Sequence, residues 1–217
     1  FTRSINDRNL AQPSFNTAIN LPGKLLLKRG SLVLSQDLVW GPEDSVSTLN
    51  LTRLNEEATR AHFISRHVFE GRRLQKLALD QASDGEERLV VSHSMHYRYY
   101  DYYPSFEVDD ETSPNDNPYL DRISIFKLND LEVLGESVSD GWSQLIDVHE
   151  SKAIFRVGGG VLLMDINDPS AIQPQAFLPI QGWSPKLTIE GDYIYAASGR
   201  YGVFSLEMEQ SNLLPPL

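Results

Sequence analysis

The 217-residue chain contains no cysteine, which excludes disulfides and thiolate metal sites. Compartment is not fixed by this, since exported bacterial proteins also often lack cysteine. No run of 18 apolar residues occurs, so no segment reads as a membrane-spanning helix. Basic residues are scarce: 19 Lys and Arg stand against 30 Asp and Glu, a formal net charge of −11. Phosphate recognition needs a basic face, so nucleic acid is not an expected partner, and neither is an anionic lipid surface. Long amphipathic helical patterns are also missing; residues 56–65 alone allow a helical alternative of one or two turns. The chain begins with Phe1 and carries no signal-peptide pattern, and is read as processed or as a piece of a longer chain.

What is present is a composition of a soluble globular protein, 41% hydrophobic and 23% charged, of a length that suits one all-β domain. It also contains a repeat. Gly141-Trp142-Ser143 recurs as Gly182-Trp183-Ser184, Gly160-Val161 as Gly202-Val203, and Ala153-Ile154-Phe155 as Tyr193-Ile194-Tyr195. The order is kept at a period of about 41 residues. Within each unit the expected strands are 145–149 and 186–190, then 152–157 and 193–197, then 161–166 and 203–208, with 175–180 as a fourth. Alternation such as Lys186-Leu187-Thr188-Ile189-Glu190 marks a half-buried strand. Asn167-Asp168-Pro169 marks a turn, because Asp caps its own backbone and Pro fixes φ. Looser units precede these, with strands expected at 24–28, 31–35, 46–54 and 59–69, then 74–79, 88–92, 122–128 and 131–138.

Four-stranded units at this period are the mark of a β-propeller. The expected fold is therefore all-β, with blades at about 23–69, 71–138, 141–180 and 182–209 and an extra outer strand at 14–21. Either the chain is a complete four-bladed ring closed by 14–21, or it is the C-terminal half of a larger propeller whose remaining blades lie in a longer parent chain.

"GVLLMDINDPSAIQPQAFLPIQG" followed by "LTIEGDYIYAASGRYGVFSLEM" resembles the LVIVD-type repeats of exported bacterial and archaeal β-propeller proteins. Asp165, Ile166, Asp168, Pro169, Gly191, Tyr193, Tyr195 and Gly202 carry the resemblance, which covers about residues 141–209. The first two blades lack the Asp-Pro turn, and Ser205-Leu206-Glu207 replaces the Asp-Ile of the last. The resemblance implies an extracellular or periplasmic location and a fold; it implies no single activity.

Consecutive strands of a blade are antiparallel, so the loop between second and third strands shares an end with the loop between blades. That rule gathers Trp40, Trp142, Trp183, Arg200 and Tyr201 on one face, together with the insertion 92–121. The insertion is tyrosine-rich at first (His96, Tyr97, Tyr99, Tyr100, Tyr102, Tyr103) and acidic later (Asp109, Asp110, Asp116, Asp121). Tyrosine offers flat area and a hydroxyl at low entropic cost, which suits a contact surface for a protein or carbohydrate ligand. The carboxylates invite calcium, although the EF-hand spacing is absent; no other cofactor is expected. Trp142 and Trp183 are expected to cover the seam between blades. No catalytic residue is identified: Gly158-Gly159-Gly160 joins strand to strand with no helix for phosphate, and Ser143 and Ser184 are not in a nucleophile elbow. His149-Glu150 is read as a surface pair. The expected function is non-enzymatic binding or scaffolding; the alternative is a propeller-type hydrolase or lyase with its site at the central channel mouth.

Overall fold

The computed structural model describes residues 19, 21–40, 45–83, 85–95, 121–139, 142–182, 184 and 186–208. These fall into two compact units, Phe1–Arg73 with Asn129–Leu131, and Leu74–Leu128 with Glu132–Leu217.

The first unit holds one antiparallel sheet in chain order: β1 (Lys24–Arg29), β2 (Leu32–Trp40), β3 (Ser45–Leu54) and β4 (Ala61–Phe69). Strand β2 outruns the expected 31–35 because its pairing with β3 continues without a slip from Leu32↔Arg53 to Trp40↔Ser45. Ile19, Val33 and Leu54 form a buried cluster joined by Leu21 and Ala61. The helical alternative at 56–65 is not adopted. Asn55 Oδ1 instead accepts the amides of Thr59 and Arg60, both at 2.8 Å, and this side-chain turn delivers the chain into β4.

The second unit holds three sheets. The first is β5 (Arg72–Gln81), β6 (Glu87–Met95), β7 (Arg122–Lys127) and β8 (Val133–Val138). The second is β9 (Ser143–His149), β10 (Lys152–Val157), β11 (Gly160–Asp165) and β12 (Gln173–Pro179). The third is β13 (Lys186–Glu190), β14 (Tyr193–Ala197) and β15 (Val203–Glu207). Every sheet is a consecutive antiparallel meander, the form of a propeller blade. Among the described residues the only helical structure is two single 3₁₀ turns, Pro169–Ala171 and Gly199–Tyr201. No helix among them is long and apolar enough to cross a membrane.

The stacking of these three sheets follows from period-2 alternation in the middle one. On β10, Ala153 and Phe155 face one way, toward Val90, Ile123 and Ile125 of the β5–β8 sheet. Ile154 faces the other way, toward Ile194, Ala196 and Met208 of the β13–β15 sheet. Both faces of the middle sheet are thus apolar, and each fully buried Leu or Ile contributes roughly 1.5–3 kcal/mol.

The stretch Asp165-Ile166-Asn167-Asp168-Pro169-Ser170 turns β11 into β12. Asp165 Oδ1 accepts the Asn167 amide at 2.9 Å. Asp168 Oδ1 accepts the Ser170 amide at 2.9 Å and its hydroxyl at 2.7 Å, capping the 3₁₀ turn. The Ser170 hydroxyl and then its amide hold the Asp168 carboxyl below its ordinary value. From β6, the buried Arg88 donates to the carbonyls of Ile166 at 3.4 Å and Asn167 at 3.0 Å.

Candidate recognition face

In the second unit, antiparallel order brings five connections to one end of the strands: those joining β6 to β7, β8 to β9, β10 to β11, β12 to β13 and β14 to β15. A continuous set of contacts runs across this end. Asp121, just ahead of β7, accepts the Ser139 amide on its carbonyl and the Ser143 amide on Oδ2, both at 2.9 Å. These bonds fix the β8–β9 connection, on which Trp142 stands 52% exposed.

The Arg156 guanidinium lies 5.8 Å from the centre of the Trp142 ring. Its Nη1 donates to the Ser184 carbonyl at 2.7 Å, and its Nη2 donates to Gln144 Oε1. Arg156 therefore ties β9 and β10 to the entry of β13 while supporting one face of Trp142. The planar fork of arginine suits this bridging, which a lysine ammonium could not reproduce.

Across the β12–β13 connection, Ser198 Oγ donates to the Gln181 carbonyl. Gly182 has φ +78, and a Cβ there would meet the Tyr201 ring at 2.8 Å. The tyrosine therefore packs on the glycine of the second Gly-Trp-Ser. Tyr201 is 46% exposed. Arg200 lies 4.9 Å from its ring centre and donates from Nη2 to its hydroxyl at 2.8 Å. The end of the unit thus presents two exposed aromatic rings, each with an arginine stacked on it.

Of the residues singled out in sequence, Trp142, Arg200 and Tyr201 belong to this end. Trp142, expected to cover the seam between blades, has its ring half open to solvent, and Arg156 reaches from β10 to the Ser184 carbonyl ahead of β13. Asp121 commits one carboxylate oxygen to the Ser143 amide. Trp40 ends β2 opposite Ser45 in the first unit, its side chain outside the described part. His96, Tyr97, Tyr99, Tyr100, Tyr102, Tyr103, Asp109, Asp110, Asp116 and Trp183 lie outside the described residues. Sequence reasoning missed Arg156 and Gln144. The signal for Arg156 was a charged residue inside an apolar strand, Ala153-Ile154-Phe155-Arg156-Val157, immediately before a glycine-rich turn.

Comparison with protein-family models and with curated proteins finds no match to this chain.

Proposed function

We propose that the protein is a non-enzymatic binding module whose β6–β7, β8–β9, β12–β13 and β14–β15 connections form a recognition face for a protein partner. The observation that carries this reading is the pair of exposed, arginine-stacked aromatic rings, Trp142 with Arg156 and Tyr201 with Arg200. Tryptophan, tyrosine and arginine are the residue types that dominate binding energy at protein interfaces. Held arginines and packed rings lose little side-chain entropy on binding, which favours affinity. In the sequence, the tyrosine-dense residues 96–103 fall between β6 and β7. The resemblance to LVIVD-type repeats supports an exported location, extracellular or periplasmic.

The experiment is selection of displayed peptides on the intact chain. Binders are expected to lose at least about tenfold in affinity against a Trp142→Ala/Tyr201→Ala variant, corresponding to about 1.4 kcal/mol. They are expected to be indifferent to Tyr193→Ala, an exposed tyrosine at the other end of the strands. Binders indifferent to the double variant would contradict the proposal, and saturable binding to oligosaccharides alone would replace a protein partner with a carbohydrate.

A further inference from the structure

The opposite end of the same strands carries a second group of residues. His149 closes β9, Glu150 is the first residue of the β9–β10 turn, and Asp192 sits in the β13–β14 turn of the neighbouring sheet. One ligand atom from each lies within 4.8 Å of the others. His149 Nε2 is 3.9 Å from Asp192 Oδ1. We propose that His149, Glu150 and Asp192 form a three-ligand site for a divalent first-row transition cation, with zinc the best match.

The donor set selects the metal. One imidazole nitrogen and two carboxylates suit zinc, whereas calcium takes oxygen ligands alone. Zinc bonds of about 2.0–2.2 Å in a tetrahedron require ligand atoms roughly 3.4 Å apart. Glu150 and Asp192 are exposed, which leaves their side chains room to turn toward a shared ion. The fourth position is left to water or to a group on a bound partner.

The backbone gives a second reason to assign Glu150 a role. Glu150 and Ser151 have φ of 47° and 57°, both in the left-handed region, in a two-residue hairpin turn. Turns of this kind favour Asn-Gly, because side chains with a Cβ resist positive φ. One repeat later, 41 residues on, the chain places Gly191 at the equivalent position, with φ 55°. At 150 it keeps a carboxylate in the strained position instead. The turn is held in that shape from outside: Ser151 donates its amide to the buried Asp80 Oδ1 at 3.1 Å and its hydroxyl to Oδ2 at 3.3 Å. Strain kept in place by its surroundings is what a preorganised site requires. A bound cation would offset the repulsion of two neighbouring carboxylates and fasten hairpins from adjacent sheets together.

The test uses the full chain stripped of metal and titrated with zinc chloride in a non-coordinating buffer. Calorimetry should give one saturable site, and a hundredfold excess of zinc over Kd should raise the melting temperature by at least ~3 °C. Calcium at the same concentration should not. His149→Ala, Glu150→Gln and Asp192→Asn should each weaken zinc binding at least tenfold. Glu150→Gln separates the site from a plain His149–Asp192 ion pair, which does not need Glu150. Glu150→Gly should raise the melting temperature of the metal-free chain, since glycine accepts positive φ, yet abolish the zinc response. Absence of saturable zinc binding would overturn the proposal, as would zinc binding that the three variants leave unchanged.

Discussion

The Asp80 carboxylate, buried on β5, accepts the Ser151 amide at 3.1 Å and receives its hydroxyl at 3.3 Å, tying the β5–β8 sheet to a turn of the next one. No local pattern demands this bond; it links residues 71 apart in sequence. Removing the acceptor leaves a buried N–H unpaired in a strained turn. Asp80→Ala is expected to lower unfolding free energy by about 2–3 kcal/mol. Asp80→Asn, which keeps an acceptor oxygen, should lose less. Urea denaturation of both variants measures the difference.

Gly135 on β8 has no room for a side chain, since a Cβ there would fall on the Pro169 carbonyl oxygen. The Asp-Pro turn of one sheet is thus seated directly on a strand of its neighbour. Gly135→Ala should cost at least about 2 kcal/mol, because the added Cβ would meet the Pro169 backbone, which has no side-chain rotation to relieve the clash. Gly159→Ala is not expected to match this loss: its added Cβ meets nothing within 4 Å, and φ +79 alone opposes it. Melting temperatures of the two variants give the comparison.

Asp168 supplies a pH-dependent part of the stability. Its pKa is lowered in the folded protein from an ordinary 3.8, first by the Ser170 hydroxyl and then by the Ser170 amide. A depressed folded-state pKa stabilises the fold above pH 3.8 and loses that contribution as pH falls through the lower folded value. Asp168→Asn should therefore be less stable than wild type at neutral pH, with the gap closing as the medium is acidified below 3.8. A gap constant with pH, followed by thermal melts, would show that the carboxylate charge contributes nothing.

Arg156→Lys should separate positioning from stability at the candidate face. Lysine cannot donate in two directions from one plane, so the bonds to the Ser184 carbonyl and Gln144 Oε1 cannot both survive in this arrangement. An unfolding cost of about 1–2 kcal/mol is expected. Trp142 should also become more mobile, which is read as a change in its fluorescence anisotropy.

The C-terminal sheets were legible in sequence because their punctuation is strong. Strands β10, β13 and β14 fall at 152–157, 186–190 and 193–197, as the alternation and the Asp-Pro and Gly-Asp turns require. Upstream the punctuation weakens. The strand expected from 131 begins at Val133, because Leu131 sits in a turn with φ 62°. The strand expected from 59 begins at Ala61, after the Asn55 side-chain turn is complete. The grouping at this end was readable in outline, since antiparallel order alone sends Trp142, Arg200 and Tyr201 to one end. The exposure of Trp142 was not readable, because burial depends on what the surrounding connections leave uncovered. His149, Glu150 and Asp192 meet only because two sheets stack; the repeat of about 41 residues makes those sheets neighbours but does not say which turn side chains come together.

The decisive measurement concerns Trp142. If it is a recognition residue, Trp142→Ala should cost no more than about 1 kcal/mol of stability, the scale of a half-exposed ring with one cation–π contact. The same variant should lose at least about tenfold in affinity for peptides selected on the wild-type chain. A loss of roughly 3–5 kcal/mol in stability, the range for a buried tryptophan, with peptide affinity unchanged, would contradict the assignment of this end as the recognition face.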